Sequence, residues 1–103
     1  MSVLHLVTRS PHDSQALRAC LCRLGSGDGI LLLADGVYAL TATAVMADLI
    51  VQLQQQGGRG YVLRDDLDLR GLSNIDCPEA IARVDYPGFV TLSQTHRLCL
   101  NWC

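Results

Sequence analysis

The stretch ILLLADGVYAL at residues 30–40 constrains the fold of this chain more than any other part of the sequence. Four consecutive apolar residues, Ile30–Leu33, run into the turn signal Ala34-Asp35-Gly36, after which the pattern becomes helical. A continuous apolar run bounded by turn residues is typical of a strand that is covered on both faces, as in a parallel sheet between helices. Ligands of open α/β sheets bind beyond the carboxyl ends of the strands, so a site is expected near Asp35 and Gly36.

The rest of the chain alternates between strand patterns and helix patterns. Strands are predicted at Val3–Val7, Ile30–Leu33, Tyr61–Leu63, Ile81–Val84 and Leu98–Trp102. Helices are predicted from Ser10 to about Leu24, from Val37 to Gln56 with a break near Thr41–Thr43, as a short polar helix or turn from Arg64 to Gly71, and from Asp85 to about His96. Such alternation predicts an α/β fold, a small three-layer domain with a mostly parallel sheet of about five strands. All 103 residues fit a single domain, 1–103.

Three polar residues stand where helices are expected to begin. Ser10 precedes Pro11, and a serine hydroxyl followed by proline at the first helical position is a strong start signal. Asp85 precedes Tyr86-Pro87 in the same way. Asp35 is expected to cap the helix after Gly36, because a role as general base lacks an evident partner.

Half of the residues are hydrophobic and only 17% are charged, which is more apolar surface than a small monomer needs for its interior. The predicted helix Val37–Gln56 carries a single charge, Asp48, and is apolar nearly all round. A helix of this kind is buried on more than one side. In so small a chain that predicts a subunit interface.

Charge and hydropathy argue against two classes of partner. The formal net charge is −2 and the basic residues are scattered, so no electrostatic footprint for nucleic acid is expected. No uninterrupted apolar segment reaches the roughly 20 residues that cross a bilayer, and the first residues lack the pattern of a signal peptide. These features predict a soluble cytoplasmic protein that binds neither nucleic acid nor membrane.

The five cysteines are the residues with obvious reactive potential, since no metalloprotease, serine hydrolase or P-loop motif occurs. An odd number of cysteines without an export signal indicates reduced thiols. Their spacing lacks the close pairs of a zinc site, so no metal is expected. No cofactor is expected either. Cys22 is expected to be exposed, Cys77 to lie in a loop, Cys99 in a core strand and Cys103 at a frayed terminus.

Cys20, in the first predicted helix, has two interpretations. In the functional one its thiolate attacks a sulfane or disulfide sulfur and holds the sulfur for the next acceptor. In the structural one it packs at the edge of the core, as free cysteines commonly do. The helix dipole would do little to activate it, because it lies beyond the first turns. Among the histidines, His5 is expected to be a hydrogen-bonded core residue, and His12 and His96 have no evident functional role.

Several segments together carry a family resemblance: SVLHLVTRSP at the start, LLLADGVYA, YVLRDDLDLRGL, VDYPGFVTL, and the ending with Trp102. In this order they resemble the TusB/DsrH family, small subunits of the DsrE/DsrF/DsrH-like sulfurtransferase complexes. The resemblance covers nearly the whole chain. It implies a small flavodoxin-like α/β fold and a heterohexamer with two copies each of three related subunits.

The resemblance also implies partners and a pathway. The partners would be DsrE/TusD-like and DsrF/TusC-like subunits, together with sulfur-carrier proteins of TusA and TusE/DsrC type. In the TusBCD branch the complex relays persulfide sulfur towards 2-thiouridine at the wobble position of tRNA, and in the DsrEFH branch it serves cytoplasmic sulfur oxidation. The principal persulfide cysteine of these complexes belongs to the DsrE or TusD subunit.

One residue match bears on the role of this chain. DsrH proteins of the sulfur-oxidising branch have a cysteine on the first helix, ten positions past the serine of the SP pair, and Cys20 stands at that distance from Ser10. Many TusB members lack it. Three functions remain open: an accessory subunit with Cys20 as a secondary persulfide carrier, a purely structural scaffold, or a stand-alone thiol enzyme. The third is disfavoured because no base or oxyanion arrangement accompanies any cysteine.

Overall fold

The computed structural model describes residues 2–103 and contains one sheet of five parallel strands. They are β1 (Val3–Val7), β2 (Gly29–Leu32), β3 (Arg59–Leu63), β4 (Ile81–Val84) and β5 (Leu98–Trp102). Their order across the sheet is β4-β3-β2-β1-β5, so β2 is central and β5 is an edge strand. Every predicted strand is found within two residues of its expected bounds.

The strands are connected by α1 (Ala16–Cys22), a 3₁₀ helix (Ala34–Thr41), α2 (Thr43–Gln56), α3 (Arg64–Leu69) and α4 (Tyr86–Thr95). The predicted break near Thr41–Thr43 is confirmed, since it separates the 3₁₀ helix from α2. The predicted start of α4 is also confirmed, because Asp85 Oδ1 accepts a hydrogen bond from Gly88 N at 2.8 Å.

The first helix begins at Ala16, so the prediction that it begins at Ser10 and Pro11 was wrong. Ser10 Oγ accepts from His12 N at 3.2 Å and Ser10 O accepts from Asp13 N at 3.1 Å, which closes a turn. Ser14 makes the same kind of bond to the residue at which α1 begins, at 3.1 Å. Serine hydroxyls that bond the backbone two residues on favour turns over helix, and they shorten α1 here.

The main hydrophobic core lies on the face of the sheet that α1, the 3₁₀ helix, α2 and α3 cover. Its strand members are Val7, Ile30, Leu32, Val62 and Ile81. Its helix members include Leu17, Cys20, Leu21, Val37, Ala39, Met46, Leu49, Leu53 and Leu67. Burial of these apolar side chains is the main force that holds the helices on the sheet.

The opposite face of the sheet is covered by α4. Leu4, Leu31 and Leu63 alternate with the residues that face the main core, and they are fully buried. A Cβ atom on Gly29 would meet Leu4 and His96, so the end of α4 lies over this face. Helices on both faces confirm the predicted three-layer α/β fold. Counted from the other edge, the strand order is β5-β1-β2-β3-β4, whereas the flavodoxin-like order is 2-1-3-4-5. The outer strand next to β1 is therefore the last strand of this chain, where flavodoxin has its second strand.

The apolar helix α2 buries one side and leaves the other open in this chain. Met46, Leu49 and Leu53 lie in the core, whereas Val51 and Ala47 are exposed. The chain alone therefore does not cover the second side, and the subunit interface there stays a prediction.

The last helix and the last strand leave apolar side chains in solvent. Tyr86 and Val90 on α4 are about half exposed, and Leu98 and Leu100 on β5 are 49% and 39% exposed. Among the described residues of α4 none is buried, and in β5 only Trp102 is even partly buried. We call the exposed parts of α4 and β5 the C-terminal surface.

Within residues 2–103 no single helix is long and apolar enough to cross a membrane. The 3₁₀ helix and α2 reach the required length and composition only as a pair, and the two meet at an angle of 101°. Both contribute buried residues to the main core.

Candidate functional site

Cys20, the candidate sulfur carrier, lies in α1 and is part of the main core, with an exposed fraction of 0%. Burial raises the pKa of its thiol to about 12, and the negative charge of Asp28 contributes to the rise. The thiolate is the form that attacks sulfur, so Cys20 has the environment of a packing residue in this chain. Its role as a persulfide carrier stays a prediction.

The other thiols divide by exposure. Cys22 and Cys103 are exposed, as expected. Cys99 is exposed as well, so the prediction that it lies in the core was wrong. The reason is that the edge strand β5 is poorly covered by the rest of the chain. Cys77 lies in the predicted loop and its Sγ–H donates to Ile81 O at 3.1 Å. Burial raises the pKa of Cys77, although the nearby guanidinium of Arg83 acts in the opposite direction.

The site expected at the carboxyl end of the central strand β2 is a turn. Residues of α3 and of the C-terminal end of α3 bind this turn. Asp35 is exposed and its Oδ1 lies 3.0 Å from Nη2 of Arg70, so its predicted role as a helix cap was wrong. Asp66 takes over that role, since its Oδ2 accepts from Ala34 N at 2.6 Å. Arg70 also lies 3.8 Å from Asp66 Oδ1. Asp35, Asp66 and Arg70 therefore contact other groups of this chain and stabilise the turn.

Two residues show how tight this turn is. A Cβ atom on Gly36 would overlap the carbonyl oxygen of Val7, so only glycine fits where the turn crosses the end of β1. Ala34 has a φ of +50°, in the left-handed region that disfavours residues with a Cβ atom. The hydrogen bond from Ala34 N to Asp66 helps to keep this conformation.

His5 is buried in the middle of β1 and has a partner at each ring nitrogen. Its Nε2 lies 2.9 Å from Asp28 Oδ2, and its Nδ1 accepts the indole N–H of Trp102 at 3.0 Å. The interpretation of His5 as a hydrogen-bonded core residue is confirmed. The group connects the start of β2 to the end of β5 through the middle of β1.

Asp28 binds three separate parts of the backbone and core. Its Oδ1 accepts from Val3 N at 2.9 Å, and its Oδ2 accepts from Gly25 N at 2.8 Å as well as from His5. Burial by itself raises the pKa of this carboxyl, but the hydrogen bonds from His5, Val3 and Gly25 outweigh burial and the pKa is lowered. Asp28 is therefore a buried carboxylate that anchors β1 and the turn before β2.

Two open grooves flank α1. One, of about 380 Å³, lies beside Trp102 and is bordered by Arg23 and Leu100. The other, of about 350 Å³, lies between α1 and α2 and is bordered by Cys22. Small-molecule sites enclose most of the ligand surface, whereas both grooves are open to solvent. Residues 2–103 contain no group of three His, Cys, Asp or Glu side chains that could hold a metal ion.

Sequence reasoning identified Cys20 and His5 but missed the residues that bind His5. Asp28 was not singled out in the sequence, and Trp102 was predicted only as the end of a strand. The available signal was the single tryptophan of the chain at the end of an apolar strand. Its partner depends on the pairing of β5 with β1, which the alternation of strands and helices does not specify.

Comparisons with known proteins agree with the resemblance found in the sequence. The family model described as "DsrH like protein" matches residues 9–98. "Protein TusB" of Klebsiella pneumoniae (strain 342) is 36% identical over 100 residues, which cover 97% of this chain and 100% of that protein. "Protein TusB" of Serratia proteamaculans (strain 568) is 34% identical with the same coverage.

A solved structure shares the fold. The crystal structure of the ychN protein from E. coli superimposes with a TM-score of 0.73 and covers 99% of this chain and 100% of that chain. Only 15% of the residues are identical, so this likeness concerns the arrangement of helices and strands alone.

Proposed function

Because this chain belongs to the DsrH family, we propose that it is an accessory subunit of a sulfur-relay complex, which holds partner subunits together and does not itself carry sulfur. Family membership supports a sulfur-relay role and implies a complex of several subunits. Within it, persulfide sulfur passes between carrier proteins, and this chain by itself has no sulfurtransferase activity.

The burial of Cys20 is the observation that carries the proposal. It is the one thiol of the chain whose position resembles a family cysteine, yet it is fully buried and its pKa is raised to about 12. A carrier thiol has to reach the sulfur atom of a donor and ionise at neutral pH. Neither condition is met by Cys20 in this chain.

The C-terminal surface supports the second half of the proposal. Its exposed apolar residues are Tyr86, Val90, Leu98 and Leu100. Neither α4 nor β5 contains a charged residue, and the cores of subunit interfaces are depleted of charge. A surface of this composition favours contact with DsrE/TusD-like or DsrF/TusC-like subunits in a heterohexamer.

The pathway we favour is 2-thiolation of the tRNA wobble uridine. The relatives that are 36% and 34% identical to this chain carry the name TusB, and the resemblance connects TusB with that branch. Sulfur would then enter from a carrier of TusA type and leave to one of TusE type. The sulfur-oxidation branch, with a DsrC-type acceptor, is the alternative that the cysteine at position 20 favours.

A deletion of the gene tests the proposal and the pathway together. A strain without the chain is expected to lose 2-thiouridine from its tRNA, measured by mass spectrometry of tRNA nucleosides. Both the wild-type gene and a Cys20→Ala gene are expected to restore it. Intact 2-thiouridine in the deletion strain would contradict the tRNA pathway. Failure of Cys20→Ala, with the complex still assembled, would instead make Cys20 a sulfur carrier.

A further inference from the structure

The tautomer of His5 follows from its two partners. The indole N–H of Trp102 is a donor only, so Nδ1 of His5, 3.0 Å away, has to be the acceptor. The proton of the neutral ring is therefore on Nε2, from which it is donated to the Asp28 carboxylate at 2.9 Å. His5 links the two residues only while its ring carries a single proton.

A second proton on His5 would act on its two hydrogen bonds in opposite ways. Protonated Nδ1 is a donor, and it would face the indole N–H of Trp102 with no acceptor between them. The bond from Nε2 to Asp28 would become charge-assisted and stronger. Asp28 remains available for this pair under mild acid because its own pKa is lowered. One protonation therefore removes the contact to β5 and keeps the contact to the start of β2.

The contact with Trp102 matters because little else holds the side chains of β5. Strand β5 is at the edge of the sheet, and among the five described strands it pairs with β1 alone. Trp102 is its one partly buried residue and packs against the main core. The hydroxyl of Thr8 reaches Trp102 O only at 3.5 Å. Loss of the indole bond would thus weaken the attachment of the C-terminal strand.

We propose that Asp28, His5 and Trp102 form a proton-operated latch, which fastens the end of β5 when His5 is neutral and releases it when His5 takes up a proton. Of the charged groups near His5, Asp28 favours a second proton on the ring and Arg23 opposes it. Arg23 borders the same groove from the end of α1, Asp28 is the acid in contact with the ring, and the buried thiol of Cys20 stays neutral. The latch is independent of any role in sulfur relay.

The single tryptophan of the chain makes the latch directly observable. The indole N–H of Trp102 gives one resonance in a ¹H–¹⁵N NMR spectrum, and its exchange with water reports the bond to His5. We expect slow exchange at about pH 8 and, after correction for the intrinsic rate, at least roughly fivefold loss of protection at about pH 5. Amide protection in β5 is expected to fall with it.

Matched histidine variants test whether the loss of indole protection in acid depends on His5. His5→Gln is expected to abolish the acid transition of the indole resonance. His12→Gln, at an exposed histidine whose ring contacts Thr41 Oγ1 at 2.9 Å, is expected to leave the transition unchanged. A transition that persists in His5→Gln, or an indole protection that does not change with pH in the wild type, would overturn the latch.

A second variant covers the case in which His5→Gln does not fold. Trp102→Phe keeps an aromatic ring at the core and removes only the indole donor. Protection of the β5 amides is expected to be reduced roughly fivefold at about pH 8 and to show no further acid transition. Wild-type protection with a wild-type acid transition in Trp102→Phe would also overturn the proposal.

Discussion

Cys20 and Asp28 are both buried, yet the pKa of Cys20 is raised and the pKa of Asp28 is lowered. Burial disfavours the charged form of both. Burial and the charge of Asp28 raise the pKa of Cys20 to about 12, whereas three donors bind Asp28 and lower its pKa despite burial. The sequence could place Cys20 at the edge of the core through helical periodicity. It could not predict the donors to Asp28, because Val3 and His5 are brought there only by the pairing of β1 with β2.

The raised pKa of Cys20 predicts a stability change in alkali. The unfolded thiol ionises above about pH 9, but the folded one keeps its proton to about pH 12, so the free energy of unfolding falls as pH rises through that window. The decrease is at most about 1.4 kcal/mol per pH unit. Urea unfolding of wild type and Cys20→Ala near pH 7 and pH 10 measures it, and the variant is expected to lose less stability in alkali. Equal losses would contradict the burial of the thiol.

Asp28 predicts the opposite dependence, in acid. A carboxyl with a lowered pKa stabilises the fold above its unfolded value of about 3.8, and that stability is lost as pH falls through the folded pKa. Asp28→Asn is expected to cost about 2 kcal/mol at neutral pH, because its amide cannot accept all three hydrogen bonds. Denaturant titrations should show the two proteins converging in acid. A constant difference at every pH would mean that the carboxylate charge is not involved.

At the scale of elements, local signals placed strands better than turns. Runs such as Ile81–Val84 and Leu98–Trp102 were predicted with their observed bounds, because an apolar run between polar breaks has few alternatives in this fold. The turn after β2 was harder. Asp35 looked like a cap from its position in the sequence, but Asp66 on α3 caps instead, and that contact spans 32 positions. No local pattern contains it.

Substitutions in this turn should have effects of opposite sign. Gly36→Ala is expected to destabilise the fold by about 2 to 3 kcal/mol, because its methyl group would overlap the Val7 carbonyl. Ala34→Gly is expected to stabilise it by up to about 1 kcal/mol, because glycine accepts a φ of +50° without a Cβ clash. Thermal and chemical unfolding of both variants measure this. A Gly36→Ala protein of wild-type stability would show that Gly36 is farther from the Val7 carbonyl than the structure places it.

At the scale of the whole molecule, the family could be recognised from the sequence, but the exposed apolar side chains of α4 and β5 could not. Apolar composition predicted that some surface meets a partner, and the predicted helix Val37–Gln56, which is apolar nearly all round, was the expected place. The structure adds the C-terminal surface, which becomes visible only once β5 is known to be the edge strand. Half-exposed Leu98 and Leu100 looked like ordinary strand residues in the sequence.

Assembly should therefore depend on the C-terminal surface. The double substitution Leu98→Ser with Leu100→Ser is expected to weaken co-purification with the DsrE/TusD-like and DsrF/TusC-like subunits by tenfold or more, which corresponds to a loss of at least about 1.4 kcal/mol of binding free energy. The fold should survive, because both side chains are already partly in solvent. The matched control is Leu69→Ser on α3, at an exposed leucine that shares a groove with Tyr86 but is not part of β5. Normal assembly of the double variant would exclude the C-terminal surface as the interface.

The central claim is that this chain supports a sulfur relay without carrying sulfur, and intact-mass analysis of each subunit tests it most directly. The assembled complex is exposed to a persulfidated donor protein and its subunits are weighed separately, alongside a complex that contains Cys20→Ala. We predict that the mass of one sulfur atom is gained by a partner subunit and not by this chain, with the same result for the variant. A sulfur atom on this chain that is absent from Cys20→Ala would contradict the claim and make Cys20 a carrier.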